Sequence, residues 1–158
     1  VLIKLTKASV KDHIASNVEL YISFEVKKEA VDEGKARGYP DALAIAENIS
    51  SGRLKVAETG RVATVESLTN SLNLVGGEAD SIRLFKQGNY EAIASDDSRF
   101  IDLIEGLGIP YMTPSALLLY LWKTKALSRQ ETCQCLDKIK GFISSEEYLA
   151  SIEELAEE

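Results

Sequence analysis

The 158-residue sequence predicts a three-layer α/β/α fold: a central, mostly parallel sheet with helices on both faces, finished by extra C-terminal helices. Three observations carry this. Short β-rich runs alternate with helical stretches of about ten residues or more, which is the pattern of a parallel sheet. Gly38, Pro40, Gly52, the pair Gly76-Gly77, Gly108 and Pro114 fall between those runs, where turns and helix starts need them. The C-terminal part carries two Ser-x-x-Glu helix starts, Ser128-Arg129-Gln130-Glu131 and Ser144-Ser145-Glu146-Glu147.

Taken in order, Val1-Leu2-Ile3 opens the chain in an apolar run without methionine and reads as part of a first strand whose beginning lies upstream. A helical stretch over 9–16 follows, then a short alternating strand over 18–22. Ser23 is placed to cap a helix over 24–37 that stops at Gly38. Pro40 starts the next helix, whose apolar stripe Leu43, Ala46, Ile49 runs until Gly52. A strand is expected over 54–57. The Thr-, Ser- and Asn-rich stretch 58–73 is assigned no element, and Gly76-Gly77 turns the chain into a helix over 78–85. Residues 91–95 read as a strand, Asp96-Asp97-Ser98 as the cap of a helix ending at Gly106 or Gly108, and Tyr111-Met112 as a last short strand. Thr113 caps and Pro114 begins the Leu-rich helix, and the two capped helices complete the chain. The sequence is expected to form one domain over 1–158, with 128–158 as its C-terminal helical extension.

Composition narrows the function. The longest apolar stretch, 116–122, is far short of the ~18 residues a membrane span needs, so it reads as a core helix. No export signal is recognisable, and the cytoplasm is the expected location. Cys133 and Cys135 are too few and wrongly spaced for a zinc site or a disulfide framework. Net charge is −7, which by itself argues against a nucleic-acid partner. Six glutamates (146, 147, 153, 154, 157 and 158) lie in the last segment, however, and without them 19 acids face 18 bases. Lys123, Lys125, Arg129, Lys138 and Lys140 then concentrate positive charge, either as a solvated helix face or as a surface for a phosphate backbone. In the acidic segment itself, Tyr148, Leu149, Ile152 and Leu155 form a helical stripe that docks on its own domain or on a partner.

In an open parallel sheet the ligand crevice lies at the carboxyl ends of the strands, which singles out the Ser95-Asp96-Asp97 turn. Each acid alone has an ordinary explanation. Asp97 can be a helix cap, Asp80 can complement a helix dipole in the first turn, and Glu29 can be solvated surface. With His13 as the only histidine there is no convincing Ser-His-Asp set, and Gly76-Gly77 lacks the spacing of a phosphate-binding glycine loop.

Together the segments resemble the PIN domain, a family of metal-dependent nucleases that includes toxin ribonucleases of toxin–antitoxin pairs. Gly77-Glu78-Ala79-Asp80-Ser81-Ile82 is similar to the family's Gly-Glu-Ala-Asp/Glu-Ala-Ile motif, Glu29 in Val26-Lys27-Lys28-Glu29-Ala30 to its second acid, and Ser95-Asp96-Asp97 to its Thr/Ser-x-Asp strand end. Val1-Leu2-Ile3-Lys4-Leu5 looks like the part just after the family's first aspartate, which this sequence does not include. The resemblance implies Glu29, Asp80 and Asp97 as catalytic metal ligands and Ser95 as the residue that orients Asp97 or the attacking water. Asp96 and Asp97 are interchangeable on the motif alone. It further implies Mg²⁺ or Mn²⁺ as cofactor, since hard oxygen ligands select such ions, and RNA as substrate. An antitoxin partner and a homodimer are implied in the same way, and no membrane. The implied activity is endoribonucleolytic cleavage of single-stranded RNA; the alternative is an inactive PIN-like module that binds RNA or protein. Clustered carboxylates are expected to raise at least one carboxyl pKa before metal binds.

Overall fold

The computed structural model describes residues 1–61 and 63–157 and is a mixed helix and strand fold with parallel strands, consistent with the PIN-like α/β class. Its elements, in chain order, are α1 (Leu2–Lys7), α2 (Lys11–Asn17), β1 (Leu20–Ser23), α3 (Phe24–Lys27), a π-helical turn (Lys28–Asp32) and α4 (Glu33–Ala36). Then come α5 (Pro40–Ser50), β2 (Leu54–Ala57), α6 (Ala63–Ser71), α7 (Gly76–Gln87), β3 (Ile93–Ala94), α8 (Ser98–Gly106) and β4 (Tyr111–Met112). The last are α9 (Pro114–Lys123), α10 (Arg129–Ile139), a 3₁₀ turn (Lys140–Phe142) and α11 (Ser145–Ala156).

They group into two compact units, one of residues 1–18 with 94–158 and one of residues 19–93. In the second, β1 and β2 pair in parallel with Leu20 opposite Leu54 and Ser23 opposite Ala57. The crossover helices pack on this ribbon, α5 against β2 and the π turn, α7 against β1 and α3. Their apolar faces supply the core: Ile22, Val31, Ala42, Ile45, Leu54, Ala79 and Ile82 are buried. In the first unit the chain leaving β3 meets β4, Ser95 N–H donating to Met112 O at 3.0 Å. Here α9 is the centre, flanked by α2, α10 and α11. Leu118, Leu121, Leu136 and Ile139 are wholly buried with Val10 and Ile14.

The opening run is helix and not strand, which corrects the expectation for Val1-Leu2-Ile3. Leu2 and Leu5 are three apart, Leu5 is buried, and Lys4 and Lys7 sit in the last turn, where positive charge complements the helix dipole. A further helix, α6, forms in the Thr/Ser/Asn-rich stretch 58–73. Val65 and Thr69 there are four apart and buried, so a tertiary contact outweighs weak helix propensity. The strands are two to four residues long and make two separate two-stranded ribbons among the described residues.

Several caps form as expected. Ser23, Asp97, Thr113, Ser128 and Ser144 each accept a backbone N–H with the side chain at a helix start. The Ser128–Glu131 pair is a reciprocal capping box. Glu147 departs from that pattern, its Oε1 accepting instead from Ser115 Oγ at 2.6 Å. The acidic α11 packs on α9 and α10 through buried Ser151 and Leu155, and Tyr148 Oη donates to Asp137 at 2.6 Å. Glu158, the last of the tail glutamates, lies outside the described residues. Cys133 and Cys135 are free thiols, and burial pushes the Cys135 thiol up. No helix among the described residues is long and apolar enough to cross a membrane.

Candidate functional site

Glu29 sits in the π-helical turn between α3 and α4, an i→i+5 distortion of the kind that often marks functional positions. Its exposed carboxylate reaches the start of α7, where Oε1 accepts the Gly77 N–H at 3.0 Å. The N-cap of α7, Val75, offers no side-chain cap, so Glu29 satisfies an orphan donor of a helix from which it is 48 residues distant. The two glycines make this possible. A Cβ on Gly76 would lie 2.6 Å from Glu29 Oε1, and one on Gly77 2.9 Å from Oε2; Gly76 also has φ +60°. The glycine pair reads in the sequence only as a turn. Its function is to let a carboxylate approach the backbone.

Asp80 stands one helical turn beyond Gly77, on the same face of α7. Glu29 and Asp80 are thereby brought to the same helix start within one unit. Asp80 is mostly covered and accepts from Arg83 Nη1 at 2.7 Å. The same guanidinium grips Glu66 of α6 with two bonds, Nε to Oε1 at 2.6 Å and Nη2 to Oε2 at 3.1 Å. Arg83 at i+3 from Asp80 is a pairing that helix spacing suggests. The Glu66 contact depends on α6, which the sequence did not reveal.

In the other unit the Ser95-Asp96-Asp97 turn separates two roles. Asp97 is the N-cap of α8 and is exposed, its Oδ1 accepting the Phe100 N–H at 3.0 Å. Ser95 is buried, and its Oγ accepts the Asp97 N–H at 3.2 Å. Asp96 points elsewhere: the Val1 amine donates to its Oδ1 at 2.5 Å and the Lys4 ammonium pairs with its Oδ2. Burial pushes the Asp96 carboxyl up, but hydrogen bonds from Lys4 and the Val1 amine outweigh it and hold the group below the ordinary carboxylate range. Glu66 is lowered too, by the Arg83 hydrogen bonds. Each of these two groups faces a cation and not another acid. Asp96 lines a cavity of about 220 Å³ with Lys4, Ser98, Thr113 and Glu147. Neither Glu147 nor Lys4 stands out in the sequence as a site residue.

Glu29 and Asp80 lie in one unit and Ser95, Asp96 and Asp97 in the other. Within neither unit do three acids, histidines or cysteines group as a complete metal site among the described residues. The donors nevertheless fit Mg²⁺ or Mn²⁺ in kind. Such ions take oxygen ligands, are commonly held by one or two carboxylates, and complete their shell with water and substrate phosphate. Glu29 and Asp80 are carboxylates of this kind, one bonded to the Gly77 amide and the other to Arg83.

The fold is α/β, and carboxylates stand at the start of α7 in one unit and at the Ser95-Asp96-Asp97 turn in the other. A family model for the PIN domain matches residues 1–158, and the chain belongs to the PIN domain family. PIN domains are generally nucleases and generally use divalent metals. No curated protein and no solved structure matches the chain.

Proposed function

We propose that this protein is a Mg²⁺- or Mn²⁺-dependent endoribonuclease that cuts single-stranded RNA, acting as a toxin held by an antitoxin partner. The observation that carries the nuclease reading is the convergence of Glu29 and Asp80 on the start of α7, across a glycine pair that has room for nothing larger. Glu29 and Asp80 would hold the metal, and the family pattern adds an acid of the Asp96-Asp97 turn. Asp96 is the better candidate of those two, since one Asp97 oxygen already caps α8 while Asp96 pairs with Lys4, a cation that a metal can replace. A bound divalent ion supplies positive charge against the phosphate and makes water a stronger nucleophile near neutral pH. Ser95 fixes the turn by holding the Asp97 amide, and Lys4 neutralises Asp96 and is available to a substrate phosphate.

The test is cleavage of end-labelled single-stranded RNA by the full-length protein in Mn²⁺, beside Asp80→Asn, Asp96→Asn and Asp97→Asn. Asp80→Asn and Asp96→Asn are expected to lose activity on the order of 10²-fold or more, and Asp97→Asn to lose less. Cleavage that persists in a chelator, or in Asp80→Asn, would sink the reading. Glu29→Gln and Glu29→Ala separate chemistry from capping. Gln retains an acceptor for Gly77 and so preserves stability while losing activity; Ala loses both.

A further inference from the structure

The turn between α9 and α10 encloses an open hollow of about 460 Å³, within the ~300–1,000 Å³ typical of small-ligand sites. Trp122, Lys125 and Arg129 line it. Lys125 and Arg129 are exposed and make no ion pair among the described residues, whereas Lys123 beside them pairs with Glu154. Glu131 is the acid of the hollow, and it is turned into the capping box, accepting from Ser128 N–H at 2.8 Å and Ser128 Oγ at 2.7 Å. Lys125 also occupies the left-handed region at φ +62°, the position after a helix that glycine fills best. The result is an indole beside two cations that form no ion pair among the described residues, with the single carboxylate of the hollow, Glu131, bonded to Ser128.

We infer that this hollow binds one nucleotide of a single-stranded RNA, its base stacked on Trp122 and its flanking phosphates on Lys125 and Arg129. The inference rests on the ribonuclease reading and gives that substrate a holding point at the α9–α10 turn. Stacking on an aromatic ring with cations along the backbone is how single strands are gripped without sequence preference. An acidic peptide would find the same cations, but Leu127 is almost wholly covered and the surface beside them is a flat indole, which suits a base.

Trp122 is the only tryptophan, so its fluorescence reports on this site alone. The full chain is titrated with a 12-nucleotide single-stranded RNA in a chelator, which prevents cleavage, and in parallel with poly-glutamate. RNA is expected to quench Trp122 saturably. Lys125→Gly with Arg129→Gln should weaken binding about tenfold and flatten the slope of log affinity against log salt by about 1.4, close to 0.7 for each phosphate that is no longer neutralised. The melting temperature of the double variant must not fall, which separates weakened RNA binding from a damaged fold. Absence of quenching, an unchanged salt slope, or quenching by poly-glutamate equal to that by RNA overturns the inference. Cleavage in Mn²⁺ is measured separately. Cleavage without quenching fails this site alone, and quenching without cleavage fails the nuclease reading alone.

Discussion

A methyl group added at Gly77 would meet Glu29 Oε2 and Val26 Cγ2, both at 2.9 Å, and one added at Gly76 would in addition sit in a left-handed backbone. Overpacking of this kind typically costs ~1–3 kcal/mol. Gly77→Ala is therefore expected to lower the unfolding free energy by about that much in a denaturant titration. In a Glu29→Ala background the cost should fall by at least half, since one of the two obstructing groups is gone. Equal costs in both backgrounds would show that the glycines do not serve the carboxylate. Asp96 gives a second prediction at this scale. Its folded pKa is depressed below the ~3.9 of a free aspartate, so its contribution to stability is present above about pH 4 and is lost as pH falls through the folded value. Lys4→Met removes one of the stabilising cations. The variant should be less stable than the parent at pH 7, with the gap narrowing as pH drops below about 4. A gap that stays constant with pH would mean that Lys4 acts through packing and not charge.

The elements repeat one lesson, that a cap identified by spacing is completed by whatever the fold brings near. Ser128 and Glu131 close a local box at an exposed helix start, needing nothing beyond four consecutive residues. Ser144 and Glu147 have the same spacing, but Glu147 crosses to buried Ser115 of α9, whose hydroxyl also meets Thr113 Oγ1 at 3.1 Å. Removing Glu147 disturbs a buried hydroxyl, a cost of ~1–3 kcal/mol, whereas removing Glu131 weakens an exposed cap worth about 1 kcal/mol or less. Glu147→Ala should accordingly destabilise the protein more than Glu131→Ala by about 1 kcal/mol in urea unfolding. Equal losses would mean that the Ser115 contact contributes nothing. α7 is the opposite case: no side chain of its own caps it, and its first turn is completed from the π-helical turn of a different segment.

For the whole molecule, the charge distribution and the metal reading meet in one measurement. A ligand that binds only the folded state at 100 times its dissociation constant stabilises by about 2.7 kcal/mol, and each kcal/mol moves the melting temperature of a chain this size by roughly 2–4 °C. Mn²⁺ at millimolar concentration is expected to raise the melting temperature by several degrees, and Glu29→Gln or Asp80→Asn should largely abolish the rise. A shift that survives both substitutions would place the ion on the glutamate-rich C-terminal segment, where six acids lie without a base. That control matters because the segment supplies six of the seven net negative charges.

Local rules decided much of this protein. The caps at Ser23, Thr113 and Ser128 and proline at the first turn of α5 and α9 follow from a few neighbouring residues, because a helix start is set within three or four positions. Resemblance to the PIN domain, and not spacing, singled out Glu29, Asp80 and the Asp96-Asp97 turn as candidate ligands. Only the tertiary structure decided what each of them touches. Glu29 meets Gly77 across 48 residues, Asp96 meets Lys4 across 92, and Glu66 meets Arg83 through a helix whose own composition is poor for helix formation. Charge partners at such separations leave no spacing signature, since any lysine or arginine would satisfy the chemistry and only the packed core determines which one arrives.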